Sequence, residues 1–421
     1  MVGYFSYDII RYIEKIPDRC LDDLKIPDIR LMRPKTIIIH DNQKKQIYFI
    51  ANCFADEKIA NYQKYFLKQI RILNFLKNLA FNFNYKKFIK KSSKKKIIVK
   101  SNISKNKFKK IVLKAKKYIK NGDIFQVVLS QRFECDLTKN PIEIYKKLRV
   151  TNPSPFMFFF NFENFQIIGS SPEILVRLRK NKVTIRPIAG TRPRGLNIRK
   201  DNFYKKQLLN DKKELSEHLM LLDLGRNDVG KVSKINSVKV TEKFKIEKYS
   251  HVMHIVSNVE GDFEKKYSLL DTMLAGFPAG TVTGAPKIRA MEIIDELEKN
   301  KRKMYAGSIG YFSANKNFDT CIALRTALIK NNKFYIQSGA GIVSDSVPEK
   351  EYMETVNKAK VSGKLDLSQM RNPKADLKLY SSDLDITPLM DLLLTNKPVP
   401  AAQANVVQKT EAQEPPLNWL V

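Results

Sequence analysis

Between Ile124 and Ile188 five short runs rich in β-branched and aromatic residues follow one another: Ile124–Cys135, Phe156–Phe162, Gln166–Ser170, Ile174–Leu178 and Val183–Ile188. Turn formers such as Asn152-Pro153, Asn164 and Asn181-Lys182 separate several of them. Strands joined by short turns pair antiparallel, because parallel neighbours need a long crossover connection. Further strand signals occur over residues 1–12, 235–243, 251–259, 307–314, 319–329 and 333–338. A hairpin is expected over 35–52, around Asp41-Asn42. Helical patterns cover 55–80, 105–120, 211–230, 264–275 and 286–300, and a last helix starts at Pro348. Runs of strands broken by runs of helices predict an α+β protein with a large antiparallel sheet layered by helices.

Two of these helices carry paired acids. In Asp211–Gly230, Leu215, Leu219 and Leu222 recur at helical spacing, and Glu214 and Glu217 leave one face three residues apart. In the helix from Pro348, Glu351 and Glu354 repeat the pattern. Carboxylate oxygens are hard ligands, and two such pairs would suit one Mg²⁺ with positions left over for a ligand. Each pair taken alone is equally compatible with a solvated face.

The chain has 421 residues, 43% of them hydrophobic, enough for one large or two ordinary domains. Its formal net charge of +33 would suit nucleic acid or an anionic membrane. The lysines are dispersed, however, without a zinc finger, RNP box or basic-aromatic stripe, so neither nucleic acid nor membrane is expected as a partner. Attraction of small anionic substrates fits the same charge. The four cysteines, Cys20, Cys53, Cys135 and Cys321, form no CxxC pair and read as reduced thiols of a cytoplasmic protein. No apolar run reaches membrane-spanning length, and the start lacks a signal-peptide pattern.

By composition the chain divides into residues 1–85, a basic linker over 86–107, a core over 108–372, and a tail over 373–421 that is slightly acidic and Pro- and Ala-rich. The tail is expected to be disordered from about residue 397.

Glycine-rich turns supply the remaining ingredients. Ala189-Gly190-Thr191, Gly280-Thr-Val-Thr-Gly284 and Gly339-Ala340-Gly341 would let backbone N–H groups approach an anion. None is a P-loop, and Gly339-x-Gly341 lacks the third glycine of a dinucleotide fingerprint. Arg325, set among apolar neighbours, is either paired structurally or placed to grip a carboxylate bidentately. His251 and His254 would face opposite sides of a strand, which suits one acid–base catalyst better than a metal pair.

Together these segments are more specific than any one of them. Pro187–Gly195, the Glu214–Asp228 helix, Tyr249–His254, Phe277–Lys287, Tyr305–Tyr311 and Gln337–Val343 with the Glu351/Glu354 helix occur in one order. Over residues 2–372 they resemble the chorismate-utilising enzymes, and within them the anthranilate synthase large subunits. The resemblance implies a large antiparallel β-sheet sandwich layered by helices around a central chorismate cleft, with Mg²⁺ held by Glu214, Glu217, Glu351 and Glu354. It implies His254, Glu214 and Thr281 as catalytic residues. It also implies a chorismate site lined by Gly190, Thr191, Gly284, Tyr305, Arg325, Gly339, Ala340, Gly341 and Lys358.

Within the family, isochorismate-forming members carry a lysine that activates water where this sequence has Gln126. Aminodeoxychorismate synthases carry a nucleophilic lysine where it has Ala189. With neither lysine, ammonia is the expected nucleophile. It would come from a separate glutamine amidotransferase subunit in a hetero-oligomer, and the product would be anthranilate, on the way to tryptophan. The runners-up are an enzyme making aminodeoxychorismate or aminodeoxyisochorismate, and an inactive copy that only binds the partner. Asn152, Pro155, Phe156 and Met157 match one half of the family's feedback-inhibitor site, with Phe156 where tyrosine is usual. The Leu-Leu-Glu-Ser half, which the family carries before Val2, has no counterpart here, and that puts feedback inhibition in question.

Overall fold

The computed structural model describes residues 1–44, 46–52, 54, 64–68, 70–71, 98–249 and 252–363. His251, Cys53, most of the expected 55–80 helix, the linker up to 97 and the tail after 363 lie outside the described residues.

Two antiparallel sheets carry the fold. The first has nine strands. Its order runs Ile188–Pro193, Val252–Asp262, Lys182–Ile185, Ile174–Arg179, Phe318–Ile322, Ser308–Phe312, Val2–Phe5 and Ile29–Met32, with Lys239–Lys248 also paired to Val252–Asp262. The second has seven: Gly284–Ala285, Gln126–Asp136, Lys333–Ile342, Thr326–Lys330, Phe165–Ser171 and Phe156–Phe162, with Lys100–Ser101 also on Gln126–Asp136. The hairpin of Thr36–Asp41 and Gln46–Ala51 stands as its own two-stranded sheet.

Alternation along the strands explains the layering. Phe158, Phe160 and Phe162 join Tyr4, Ile309 and Cys321 in an apolar layer contributed by both sheets. The intervening Met157 and Phe159 pack instead with the helices Lys105–Lys120, Pro141–Thr151, Lys287–Leu297 and Pro348–Gly363. Likewise Tyr4 belongs to the inter-sheet layer and Phe5 to the core on the far side of the first sheet, with Leu222, Val229 and Met273 from the helices Lys212–Gly230 and Leu269–Ala275. Successive side chains point to opposite faces of a strand, so one sequence run feeds two cores. The outcome is an α+β sandwich with helices outside both sheets. Val2–Phe5 and Ile29–Met32 pair with each other, and Val2–Phe5 also pairs with Ser308–Phe312, so the start of the chain shares a sheet with the later strands.

Several boundaries differ from the sequence expectation for local reasons. Residues 1–12 form a strand only to Phe5. Ser6 then accepts a bond from the Asp8 backbone N–H and starts a 3₁₀ turn over Tyr7–Tyr12. The single run 319–329 is two strands in different sheets, and Arg325 between them has φ +49° where the chain crosses over. Ser268 and Asp271 form a reciprocal cap, which starts that helix at Leu269 rather than 264. Helices Pro141–Thr151 and Ile198–Asn210, capped by Asn140 and Asn197, were not read from the sequence. Lys212–Gly230 buries His218, Leu221, Leu222, Gly225 and Val229, while Leu219 is 52% exposed. The buried stripe is therefore rotated from the Leu215–Leu219–Leu222 line.

Candidate active site

The first group of site residues sits where Ile188–Pro193 meets Val252–Asp262. Thr191 and His254 are direct cross-strand partners, beside an irregularity at Gly190, whose φ is +68°. That bulge turns the Gly190 carbonyl to within 3.1 Å of His254 Nδ1, and the Thr191 hydroxyl lies 3.0 Å from the same nitrogen. Tyr249 packs edge-on against the imidazole, with ring centroids 5.6 Å apart. A Cβ at position 190 would lie 3.1 Å from Glu214 Oε2, so the glycine also lets the acidic helix approach the strand.

The second group is the four glutamates. Asp211 caps the first acidic helix through bonds from Lys213 and Glu214 N–H. Arg192 binds Asp211 at 2.7 Å and Glu214 at 3.0 Å. Burial raises the carboxyl pKa of Glu217, and the negative charges of Glu214 and Glu354 add to that, against a bond from Gln126 and the charge of Lys358. Burial raises Glu351 in the same direction, with Glu354 adding to it. Glu354 pairs with Lys358 at 2.6 Å, and Lys358 also donates to the Gly339 carbonyl at 3.3 Å.

Among the described residues, no group of three or more His, Cys, Asp or Glu side chains stands close enough to hold a metal ion. Arg192 and Lys358 draw Glu214 and Glu354 into ion pairs. The donor set nevertheless fits a hard divalent cation: it is all carboxylate, and Glu217 and Glu351 are held in an environment that penalises their own charge.

Gly339 and Gly341 lie inside the strand Lys333–Ile342, opposite Ser130 and Val128, and not in a turn after it. Neither position has room for a Cβ. One at 339 would fall 2.5 Å from Tyr305 Oη, and one at 341 would fall 2.6 Å from Gln126 Nε2. The Ala340 methyl points the other way into the core, so this residue offers its backbone only. Gly284 ends the short turn Gly280–Thr283 at φ +136°, where a Cβ would meet the Gln126 carbonyl at 2.1 Å.

One residue of the cleft was not picked out in the sequence. Glu173 follows Ser171-Pro172 at the start of Ile174–Arg179 and is buried against Thr281 and Arg325. Burial pushes its carboxyl up to about 8, against the opposing pull of those two neighbours. The Thr281 hydroxyl is itself buried without a well-formed hydrogen bond among the described residues. Glu173 and Thr281 line one cleft with Pro187, Leu221, Leu224 and Gly280. A lone acid between apolar neighbours gives no helical spacing to notice; the signal was a glutamate at the head of an otherwise apolar strand.

Arg325 connects the groups. Its charge acts on both Glu173 and Tyr249, and its guanidinium lies 3.4 Å from Asn152 Oδ1. Asn152 is therefore beside Arg325, while Phe156 and Met157 open the neighbouring strand opposite Ser171 and Ser170. Pro155 immediately precedes that strand.

The chain matches the family described as chorismate binding enzyme over residues 1–362. An anthranilate synthase component 1 from Cereibacter sphaeroides is 52% identical over 364 residues, covering 86% of this chain and 72% of that protein. The corresponding protein of Acetivibrio thermocellus is 47% identical, covering 85% of this chain and 73% of its own. Among solved structures, anthranilate synthase component I from Streptococcus pneumoniae superposes with a TM-score of 0.78 at 39% identity, covering 86% of this chain and 80% of that one.

Proposed function

The chain belongs to the chorismate binding enzymes, and on that premise we propose that it is an anthranilate synthase large subunit. It would convert chorismate and ammonia to anthranilate and pyruvate. The observation that carries the reading is the convergence, around Arg325, of the buried acid Glu173, the Thr281 hydroxyl and Tyr249, whose ring packs on His254. Gln126 and Ala189 favour ammonia over water or a protein amine as the nucleophile, since neither side chain can activate water as a base or attack carbon.

Each residue has a chemical task on this reading. Arg325 grips a substrate carboxylate, and the Gly339–Gly341 backbone with Tyr305 and Lys358 bounds the opposite wall. Glu173, protonated near neutrality, donates to the departing C4 hydroxyl, since a good general acid has a pKa near the working pH. The Gly190 carbonyl can only accept, so it holds the Nδ1 proton of neutral His254 and leaves Nε2 to take a proton as pyruvate is eliminated. Glu214, Glu217, Glu351 and Glu354 would hold Mg²⁺, which supplies positive charge for the ring carboxylate. Ammonia would come from a glutamine amidotransferase partner in a cytoplasmic hetero-oligomer. Among the described residues no helix is long and apolar enough to cross a membrane.

The test is fluorescence of anthranilate from purified protein given chorismate, Mg²⁺ and a high ammonium concentration without any partner. Anthranilate formation supports the proposal. Untouched chorismate in a folded sample refutes it, and an accumulating amino intermediate moves the reading to aminodeoxyisochorismate synthesis.

A further inference from the structure

Behind the cleft lies a buried ion pair that none of the site residues includes. Arg302 and Glu298, one turn apart just after the helix Lys287–Leu297, have side chains 1% and 4% exposed. Arg302 Nε and Nη2 meet the two Glu298 oxygens at 2.9 and 2.6 Å. The remaining donors reach out to two backbone carbonyls: Nη1 to Val282 at 2.8 Å and Nη2 to Val128 at 2.7 Å. The guanidinium also lies over the Tyr305 and Tyr7 rings, 5.5 and 4.9 Å from their centroids. Glu298 in turn accepts from the Ser130 N–H and hydroxyl at 2.8 and 2.9 Å.

The far ends of these bonds all lie on elements that carry, or pair with, the proposed site residues. Val282 is in the four-residue turn Gly280–Thr283 that carries Thr281. A turn that short has no helix to satisfy its last carbonyls, and Arg302 supplies the missing donor. Val128 lies just past the point where Gly284–Ala285 stops pairing with Gln126 and Val127, and it is in register with Gly341. Ser130 is in register with Gly339. Tyr305 reaches so close to Gly339 that a Cβ there would touch its hydroxyl.

We propose that Arg302, oriented by Glu298, is a positioning residue that sets the Thr281 turn, the Tyr305 ring and the Gly339–Gly341 strand relative to one another. A planar fork with five donors can bind two carbonyls and a carboxylate at once; an ammonium on a flexible stem cannot hold that geometry. The inference rests on reading Thr281, Tyr305 and Gly339–Gly341 as substrate-facing.

Arg302→Lys keeps the buried charge pair and removes the fork. Glu298→Gln/Arg302→Met removes both charges together, so that no buried ion is left unpaired if the lysine variant does not fold. Two readouts are taken on whichever folds. Hydrogen–deuterium exchange of the 277–285 peptide reports the turn without any catalysis. Steady-state kinetics with chorismate, Mg²⁺ and ammonium report the site. The expected result is exchange at 277–285 at least tenfold faster, with peptides of the 105–120 helix unchanged, and kcat/KM reduced at least tenfold. Wild-type exchange at 277–285 in a folded variant overturns the proposal. So does faster exchange with kcat and KM both unchanged. Wild-type protein that turns over no chorismate would sink the functional reading alone, because the exchange measurement stands apart from it.

Discussion

The Gly190 carbonyl oxygen lies 3.1 Å from Nδ1 of His254, across two neighbouring strands. The left-handed bulge at Gly190 makes this possible, since a regular ladder would direct that carbonyl along the sheet. The bond selects one tautomer of the neutral ring. Replacing His254 with alanine should lower kcat by roughly 10²–10⁴-fold, the usual worth of a positioned proton-transfer group. Chorismate affinity, measured by equilibrium titration, should change far less. Equal losses in both would assign His254 to substrate positioning instead.

Glu173 should impose a descending alkaline limb. Its carboxyl is pushed up to about 8, so the donating form is lost as pH rises through that value. With free ammonia held constant, kcat/KM is expected to fall above pH 8, and Glu173→Gln to remove turnover at every pH. Stability should also fall with rising pH, but over a lower window. An unfolded glutamate ionises near pH 4, whereas the folded one keeps its proton to about 8, so folding loses stability as pH rises between the two. The glutamine variant carries no such penalty and should melt at or above the wild-type temperature at pH 8. A lower melting point there, with activity retained, would remove Glu173 from the mechanism.

The four glutamates make a prediction that does not depend on turnover. Titration calorimetry of wild-type protein should detect Mg²⁺ binding, and Glu214→Gln or Glu351→Gln should weaken it, since each removes one of few hard ligands. Binding to the folded state alone should also raise the melting temperature of wild type more than that of either variant. Identical Mg²⁺ affinities in all three proteins would refute the assignment. Arg192→Ala is the informative companion. It frees Glu214 from its 3.0 Å ion pair, so if that pair competes with the cation, Mg²⁺ affinity should rise.

Much of this is legible in the amino-acid sequence, and the exceptions have physical causes. The Lys105–Lys120 helix was fully visible, because Ser104 caps it and Phe108, Ile111 and Val112 form its buried stripe. The sheet class followed from short turns. Arg325 was noticed as an arginine among apolar residues, but not as the point where the chain changes sheets, since a positive φ at a non-glycine leaves no trace in composition. Gly339-Ala340-Gly341 read as a turn because glycine usually marks one; here it is strand, and the glycines clear space for Tyr305 and Gln126. Glu173 and Arg302 stayed hidden for a common reason. Each acts through partners distant in sequence, and no spacing rule links position 173 to 281 and 325, or 302 to 128 and 282.

The clearance at Gly339 can be tested as a coupling. A methyl there would stand 2.5 Å from Tyr305 Oη and 2.9 Å from Val128 Cγ1, so Gly339→Ala must displace at least one of them. Tyr305 is the one proposed to face the substrate, and its hydroxyl is the nearer atom. Gly339→Ala should therefore raise the chorismate KM by about tenfold or more; the methyl would also come within 3.1 Å of the Leu129 carbonyl on the paired strand, so some loss of melting temperature is expected with it. Tyr305→Phe removes the clashing oxygen at some cost of its own. If the alanine acts through that oxygen, adding it to Tyr305→Phe should cost clearly less than it costs wild type, a non-additivity that neighbours in contact produce and independent sites do not. Strictly additive losses would mean that the methyl acts through Val128 and the strand instead. The local geometry at Gly339 would then be set by backbone packing and not by the tyrosine.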